Sequence, residues 1–98
     1  MLLQNCIRVK VKYLAPLFQS LTGLESEELM LEKGTKLRDL LKELARAHGE
    51  ELGKWFFSED GRLNQGTLII VNGSIVHDFD KDLSDKDEVV LTIPFDGG

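Results

Sequence analysis

Thr35-Lys36-Leu37-Arg38-Asp39-Leu40-Leu41-Lys42-Glu43-Leu44-Ala45-Arg46 is the stretch on which the fold turns. Leu37, Leu40, Leu41, Leu44 and Ala45 recur at i, i+3, i+4, i+7 and i+8, which is one face of an amphipathic helix. Arg38, Asp39, Lys42, Glu43 and Arg46 fill the opposite side. Thr35 suits the N-cap, because its hydroxyl can accept a first-turn amide. His48 and Gly49 mark the end. One apolar stripe cannot be buried by the helix itself, so the neighbouring segments must supply a second apolar layer.

They do so as strands. Upstream, Ile7, Val9, Val11 and Tyr13 alternate with Arg8, Lys10 and Lys12, the pattern of a half-buried strand. Pro16 opens a short helical stretch that Gly23 closes. Glu27 to Glu32 alternates again, with Leu29 and Leu31 inward and Glu28, Met30 and Glu32 outward; it reads as the second arm of a hairpin-like pair. Downstream, Glu50 to Phe57 carries Leu52, Trp55, Phe56 and Phe57 and predicts a further short helix. Ser58 to Gly66 is polar and turn-rich. Leu68-Ile69-Ile70-Val71 is a continuous apolar run, as in a central strand. Asn72-Gly73 is a hairpin signal, and Ser74 to Val76 is the short return. Asp78 to Lys86 is a charged loop pinned by Leu83. Glu88 to Ile93 is the last strand, with Val89, Leu91 and Ile93 inward, and Pro94 ends the pairing because it has no N–H to donate. One main helix with a mixed sheet gives an α+β, two-layer domain.

The chain has 98 residues, 42% hydrophobic and 30% charged, which fits one globular domain. Its net charge of −5 argues against nucleic acid, whose phosphates call for a basic excess. A basic protein partner, or plain solubility, suits an acidic surface. The single cysteine, Cys6, cannot close an internal disulfide, and the sequence offers no metal-ligand cluster. The start is too short for a signal-peptide apolar region, and no run is long enough for a membrane span, so the sequence reads as cytoplasmic.

Three segments carry a family resemblance. Ile70-Val71-Asn72-Gly73 resembles the "VNG" turn of ubiquitin-like sulfur carriers. Leu83-Ser84-Asp85-Lys86-Asp87-Glu88-Val89 resembles their "L-x-D-G-D-E-V" approach to the last strand. Ile93-Pro94-Phe95-Asp96-Gly97-Gly98 resembles their "P-x-x-G-G" ending. Together with the β-β-α-β-β order, this makes the chain similar to the MoaD/ThiS sulfur carriers, and closest to the MoaD-type small subunit of molybdopterin synthase. The fold implied is the β-grasp, or ubiquitin-like, fold over residues 1–94, with a flexible Gly-Gly tail over 95–98. Lys86 stands where the family commonly has glycine, so the turn there either avoids positive φ or is strained.

The resemblance implies the chemistry. An E1-like adenylating enzyme (MoeB-type) would use ATP to activate the α-carboxylate of Gly98. A sulfur donor such as a cysteine desulfurase or rhodanese would then displace AMP and leave a thiocarboxylate. That sulfur would pass to a pterin precursor held by the large, MoaE-type subunit. No cofactor would be bound by this chain. Gly97 and Gly98 lack a Cβ, so the backbone can thread closely into a partner. Phe95 would anchor the tail in an apolar pocket, Asp96 would sit at its mouth, and Pro94 would aim it off the sheet. The chain contains neither a phosphate-binding loop nor a recognisable nucleophile motif, so it reads as a carrier subunit rather than a free-standing enzyme. The same tail would serve a protein modifier, or a carrier for thiamine, tRNA thiolation or cysteine synthesis.

The remaining chemistry-bearing residues read as structural. Cys6 is a small filler or a bystander at a strand edge, with persulfide acceptance the functional alternative. His48 is a partner of the helix dipole, and His77 lies in a loop. Trp55, Phe56 and Phe57 are core. Met30, Val90 and either Ile69 or Val71 would lie on the outer face of the sheet, where a patch near the tail would be a docking surface.

Overall fold

The computed structural model describes residues 5–94. Phe95, Asp96, Gly97 and Gly98 lie outside the described residues. The elements are β1 (Cys6–Tyr13), α1 (Pro16–Thr22), β2 (Ser26–Glu32), α2 (Leu37–His48), α3 (Glu50–Phe56), β3 (Leu68–Val71), β4 (Ser74–Ile75) and β5 (Glu88–Thr92). The five strands form one sheet in the order β2-β1-β5-β3-β4. β1 runs antiparallel to β2 and parallel to β5, and β3 runs antiparallel to both β5 and β4. This mixed sheet with its helices on one side is the α+β, β-grasp arrangement expected.

The alternation in β1 decides which face is covered. Ile7, Val9, Val11 and Tyr13 are buried, whereas Arg8, Lys10 and Lys12 are exposed. Against them lie Leu37, Leu40, Leu41 and Leu44 of α2, all at most 1% exposed. Burying such a side chain contributes roughly 1.5–3 kcal/mol relative to exposure. That outweighs the few tenths per residue at stake in helix propensity, so the stripe holds α2 in place. Phe18 from α1 and Leu52 and Phe56 from α3 complete the core. The ring of Phe18 meets Phe56 and Trp55 edge-on, each at 6.0 Å.

The helix start differs from the sequence reading. The N-cap of α2 is Lys36, not Thr35. The Thr35 hydroxyl instead donates to the Glu32 carbonyl at 2.6 Å and closes the turn after β2. The first-turn amides of Leu37 and Arg38 donate to the carbonyls of Lys81 and Phe79, at 2.9 and 2.8 Å. The charged loop before β5 therefore does the capping. It is held down by Phe79 as well as Leu83, both buried.

Two further expectations are corrected. The apolar run Leu68–Val71 is not the central strand; β5 is, with β3 between it and the short edge strand β4. Ile69 and Val71 both face the core, so neither contributes to the outer face; Leu68 and Ile70 do, being only half-buried. The pairing explains the phase: Ile69 lies opposite Leu91 and Val71 opposite Val89, both fully buried.

The Leu83 to Val89 motif is a hydrogen-bonded clasp. The Asp87 carboxylate accepts from Asn72 Nδ2 and from the Ser84 amide, each at 2.8 Å. Asn72 Oδ1 accepts from the Glu88 amide, and the Asp85 carboxylate accepts from the Arg8 amide. Lys86 has φ of 72°, so the turn keeps the left-handed conformation although the residue has a Cβ. Its amide donates to the Arg8 carbonyl at 2.7 Å, and this bond to β1 holds the strained residue in place. At the Asn72-Gly73 turn both residues also have positive φ, as a tight hairpin needs.

Candidate functional site

Gly98 follows from β5, so the exit point of that strand defines the site. β5 ends at Thr92, Ile93 is half-buried against the core, and Pro94 is exposed. Of the residues expected to work at the tail, only Pro94 falls within the described residues. The Asp85–Asp87 clasp is at the start of β5 and therefore at the opposite end of the sheet. Its motif builds the fold and takes no direct part at the tail.

What surrounds the exit is apolar. Continuing the registers of β1 with β2 and β5 brings Leu24, Leu14, Thr92 and Leu68 into one row across the outer face. Leu14 anchors this row through its amide, which donates to the Leu91 carbonyl at 2.9 Å. The next row is Lys12, Val90, Ile70 and Ile75. Leu14 is 57% and Ile75 55% exposed. A hollow lined mainly by Leu63, Leu68, Ile75, Val76 and Pro94, together with the polar Gln65, Thr67 and His77, continues the band to the root of the tail. The other half of the same face carries Arg8, Lys10, Glu28 and Glu88 and is charged. The outer face is thus divided, with its apolar part beside the exit of the tail. Met30, expected on this surface, is exposed but sits on β2 at the charged side. Leu14, Leu24 and Ile75 were missed by sequence reasoning. The only signal they offer is an apolar residue at an outward position, and its meaning depends on the sheet order.

A second cluster lies inside the molecule and is structural. Tyr13 is buried, and its hydroxyl donates to Glu27 Oε2 at 2.5 Å. His48 Nε2 lies 2.7 Å from the same oxygen, and the two rings meet edge-on at 6.0 Å. One carboxylate thereby joins β1, β2 and the end of α2. Burial, and then the bond and charge of Glu27, push the Tyr13 phenol far above its ordinary range. A folded-state value above the unfolded one means that this contribution is intact below the unfolded value of about 10 and is lost as pH rises beyond it. Tyr13 is the only tyrosine. Phenolate absorbance is therefore expected to appear only together with unfolding, on alkaline titration followed by ultraviolet absorbance and circular dichroism. Phenolate formed in a still-folded protein would refute this.

Cys6 is half-buried beside Arg8, Met30, Asp85 and Lys86. His77 is in the loop after β4. Among the described residues, no group of three or more His, Cys, Asp or Glu side chains is placed to hold a metal ion, and no helix is long and apolar enough to cross a membrane.

The model of the ThiS family matches residues 11–98. A solved Pyrococcus furiosus protein, assigned as molybdopterin converting factor subunit 1, is 34% identical over 91% of this chain and 99% of its own, with a TM-score of 0.72. SAMP1 from Haloferax volcanii has a TM-score of 0.79 at 24% identity, covering 93% of this chain and 99% of its own. Subunit 1 in the complex of subunits 1 and 2 of the Helicobacter pylori molybdopterin-converting factor has a TM-score of 0.61 at 21% identity, over 94% of this chain and 100% of its own. No curated protein matches the sequence.

Proposed function

Because this chain belongs to the ThiS family, whose fold neighbours are sulfur-carrier and ubiquitin-like modifier proteins, we propose that it is a sulfur carrier working through a carboxylate at Gly98. The specific role proposed is that of the small subunit of a molybdopterin synthase. The observation that carries the specific role is the 34% identity to the Pyrococcus furiosus subunit 1 across nearly both chains. The carrier role is supported by the family match, which runs through Gly97 and Gly98, and by the apolar band at the root of the tail.

The division of labour follows from the chemistry. A carboxylate is a poor electrophile and needs conversion to a mixed anhydride. In the proposed cycle a carboxylate oxygen of Gly98 attacks the α-phosphorus of ATP in an E1-like partner, and pyrophosphate leaves. The persulfide of a sulfur donor then attacks the acyl carbon and displaces AMP, and a thiol reductant cleaves the S–S bond of the resulting acyl disulfide to leave the thiocarboxylate. Gly97 and Gly98 let the backbone enter the partner's site, Phe95 and Asp96 seat it, and Pro94 directs it. The apolar band docks first the activating enzyme and then a large subunit, as subunit 1 of the Helicobacter pylori factor associates with its subunit 2. A single surface for both partners keeps them from binding together, and their order follows from the chemistry, because sulfur is loaded before it is donated.

The test is direct. The purified chain, incubated with ATP, a cognate adenylating enzyme and a sulfur donor, is expected to exchange one oxygen for sulfur at its end, read by intact-mass spectrometry. An unchanged mass with an enzyme that adenylates a control carrier would sink the reading. The likeness to SAMP1 supports a second role, in which Gly98 is joined to lysines. Immunoblotting separates the two: a ladder of heavier adducts in lysate supports conjugation, and a single free species supports the carrier.

A further inference from the structure

The second edge of the sheet differs in character from the apolar band. β2 is the outermost strand on that side. In an antiparallel ladder only alternate residues bond to the neighbour. The Tyr13 amide donates to the Glu25 carbonyl and the Lys33 amide to the Asn5 carbonyl. The same register makes Glu27, Leu29 and Leu31 the residues bonded to β1. The amides and carbonyls of Ser26, Glu28 and Met30 therefore point away from the sheet. Seven residues of edge strand are a ready template for another strand.

Beside this edge, between β2 and α2, runs a groove lined by Leu29, Leu31, Thr35, Glu32, Asp39 and Glu43 together with Met30. Leu29 and Leu31 line it with three carboxylates, of which Glu43 is paired with Arg46 and Asp39 accepts the Lys36 amide, while Glu32 is exposed. On the inner edge of β2 the molecule shows what such a strand accepts. β1 reads Arg8-Val9-Lys10-Val11-Lys12, and it sets Arg8 opposite Met30 and Lys10 opposite Glu28. Both edges of β2 present the same side chains, so the outer one favours the same alternation. A second copy of β2 would instead bring a second set of Glu25, Glu27, Glu28 and Glu32 to the same margin, in a chain that already carries a net charge of −5.

We propose that the β2 edge is a second docking site, independent of the apolar band, which takes an extended segment of a partner protein in which Lys or Arg alternates with apolar residues. The segment adds to the sheet as a sixth strand. Its backbone pairs with Ser26, Glu28 and Met30, its apolar side chains enter the groove over Leu29 and Leu31, and its cations, on the opposite face of the sheet, meet Glu28 and Glu32. The band meets the β2 margin only at Leu24, ahead of the strand, so a partner held along Ser26–Met30 leaves Leu14, Ile75 and the exit of the tail accessible.

The probe is an N-acetylated, C-amidated, fluorescent peptide Ile-Arg-Val-Lys-Val-Lys-Tyr, copied from residues 7–13, titrated against the full chain. Saturable binding is expected, about tenfold weaker when salt is raised from low to physiological strength. Amide shifts and slowed hydrogen exchange should be confined to Ser26, Glu28, Met30 and the rim of the groove. Met30→Pro removes one outward amide and is tolerated at an edge; it should abolish binding. Should that variant unfold, Glu28→Lys with Glu32→Lys decides the matter, since both side chains are exposed, and should weaken binding at least about tenfold. No saturable binding, equal binding of a peptide with Glu in place of Arg and Lys, or shifts at Leu14 and Ile75 instead would each overturn the proposal. So would concentration-dependent protection of Ser26, Glu28 and Met30 without peptide, which would assign the edge to a second copy. These readouts do not involve Gly98, so their failure leaves the carrier reading standing.

Discussion

A chain truncated after Asp96 is expected to form no thiocarboxylate above background, while unfolding at the same denaturant midpoint as the full chain. Both halves follow from where the core ends. β5 closes at Thr92 and, among the described residues, Ile93 is the last one packed against the core, so the loss of two glycines leaves every described contact in place. The stability change should stay within roughly 0.5 kcal/mol. The truncated chain still ends in a carboxylate, but that carboxylate is misplaced. Two extended residues span about 7 Å, and a shift of even about 1 Å at a reacting centre can cost about a hundredfold in rate. The new end also bears the Asp96 side chain, whose Cβ and charge would have to enter where glycine passed. Gly98→Ala separates the two causes, because it keeps the reach and adds only a Cβ. It should retain partial activity, reduced about tenfold to a hundredfold, whereas the truncation should show none. Measurement is by intact mass after incubation with the adenylating enzyme, ATP and a sulfur donor. A truncated chain that still gained sulfur would remove Gly98 from the proposed chemistry, and one that unfolded would show the tail to be structural.

The contrast between what was and was not legible in the sequence has a physical origin. The stripe from Leu37 to Leu44 and the alternation from Ile7 to Tyr13 are local signals, since each fixes its own buried face from its period, and the structure places those residues accordingly. Leu68–Val71 has no period. Four apolar residues in a row give no phase, and only the pairing of Ile69 with Leu91 decides that Ile70 faces out. Thr35 is a good cap by composition but is outbid by a distant loop, whose Lys81 and Phe79 carbonyls satisfy the first turn. Nothing near Thr35 in sequence announces them. Lys86 is similar. Locally its Cβ disfavours positive φ, yet the bond from its amide to Arg8 and the neighbouring Asp85 and Asp87 contacts hold the turn in that conformation.

The same distinction separates the two parts of the candidate site. The tail is a contiguous motif, so the sequence alone proposes it at residues 93–98, of which the structure describes Ile93 and Pro94. The band beside it is assembled from the loop before β2, the end of β1, and strands β5, β3 and β4, and each of these contributes one or two ordinary-looking apolar residues. Leu14 and Ile75 are far apart in sequence and acquire a common role only through the order β1-β5-β3-β4. Scattered exposed leucines are unremarkable. Adjacency to the tail and continuity across four strands are what set these apart.

That band yields the second large expectation. The double variant Leu14→Asp with Ile75→Asp should fold normally yet bind the adenylating enzyme and the large subunit about a thousandfold more weakly. Both side chains are more than half exposed, so replacing them costs the fold little. In the complex each would be desolvated at the centre of a docked face, where truncation of an anchor costs about 2 kcal/mol, roughly 30-fold. Leu14 and Ile75 are separated by two strands, so they are about 14 Å apart across the sheet. At that distance effects add, which gives the combined figure. The kinetic signature is specific. Gly98 is untouched, so thiocarboxylate formation should show a raised KM for the carrier with kcat preserved at saturation, the opposite of the pattern expected for Gly98→Ala. Lys10→Ala, on the charged half of the same face, serves as the control and should change affinity by no more than about threefold. Isothermal titration against each partner measures the loss. Double-variant affinities within threefold of the parent chain would place docking elsewhere on the surface. A loss toward one partner alone would break the exclusion argument, because it requires that both use the band that surrounds the exit of the tail.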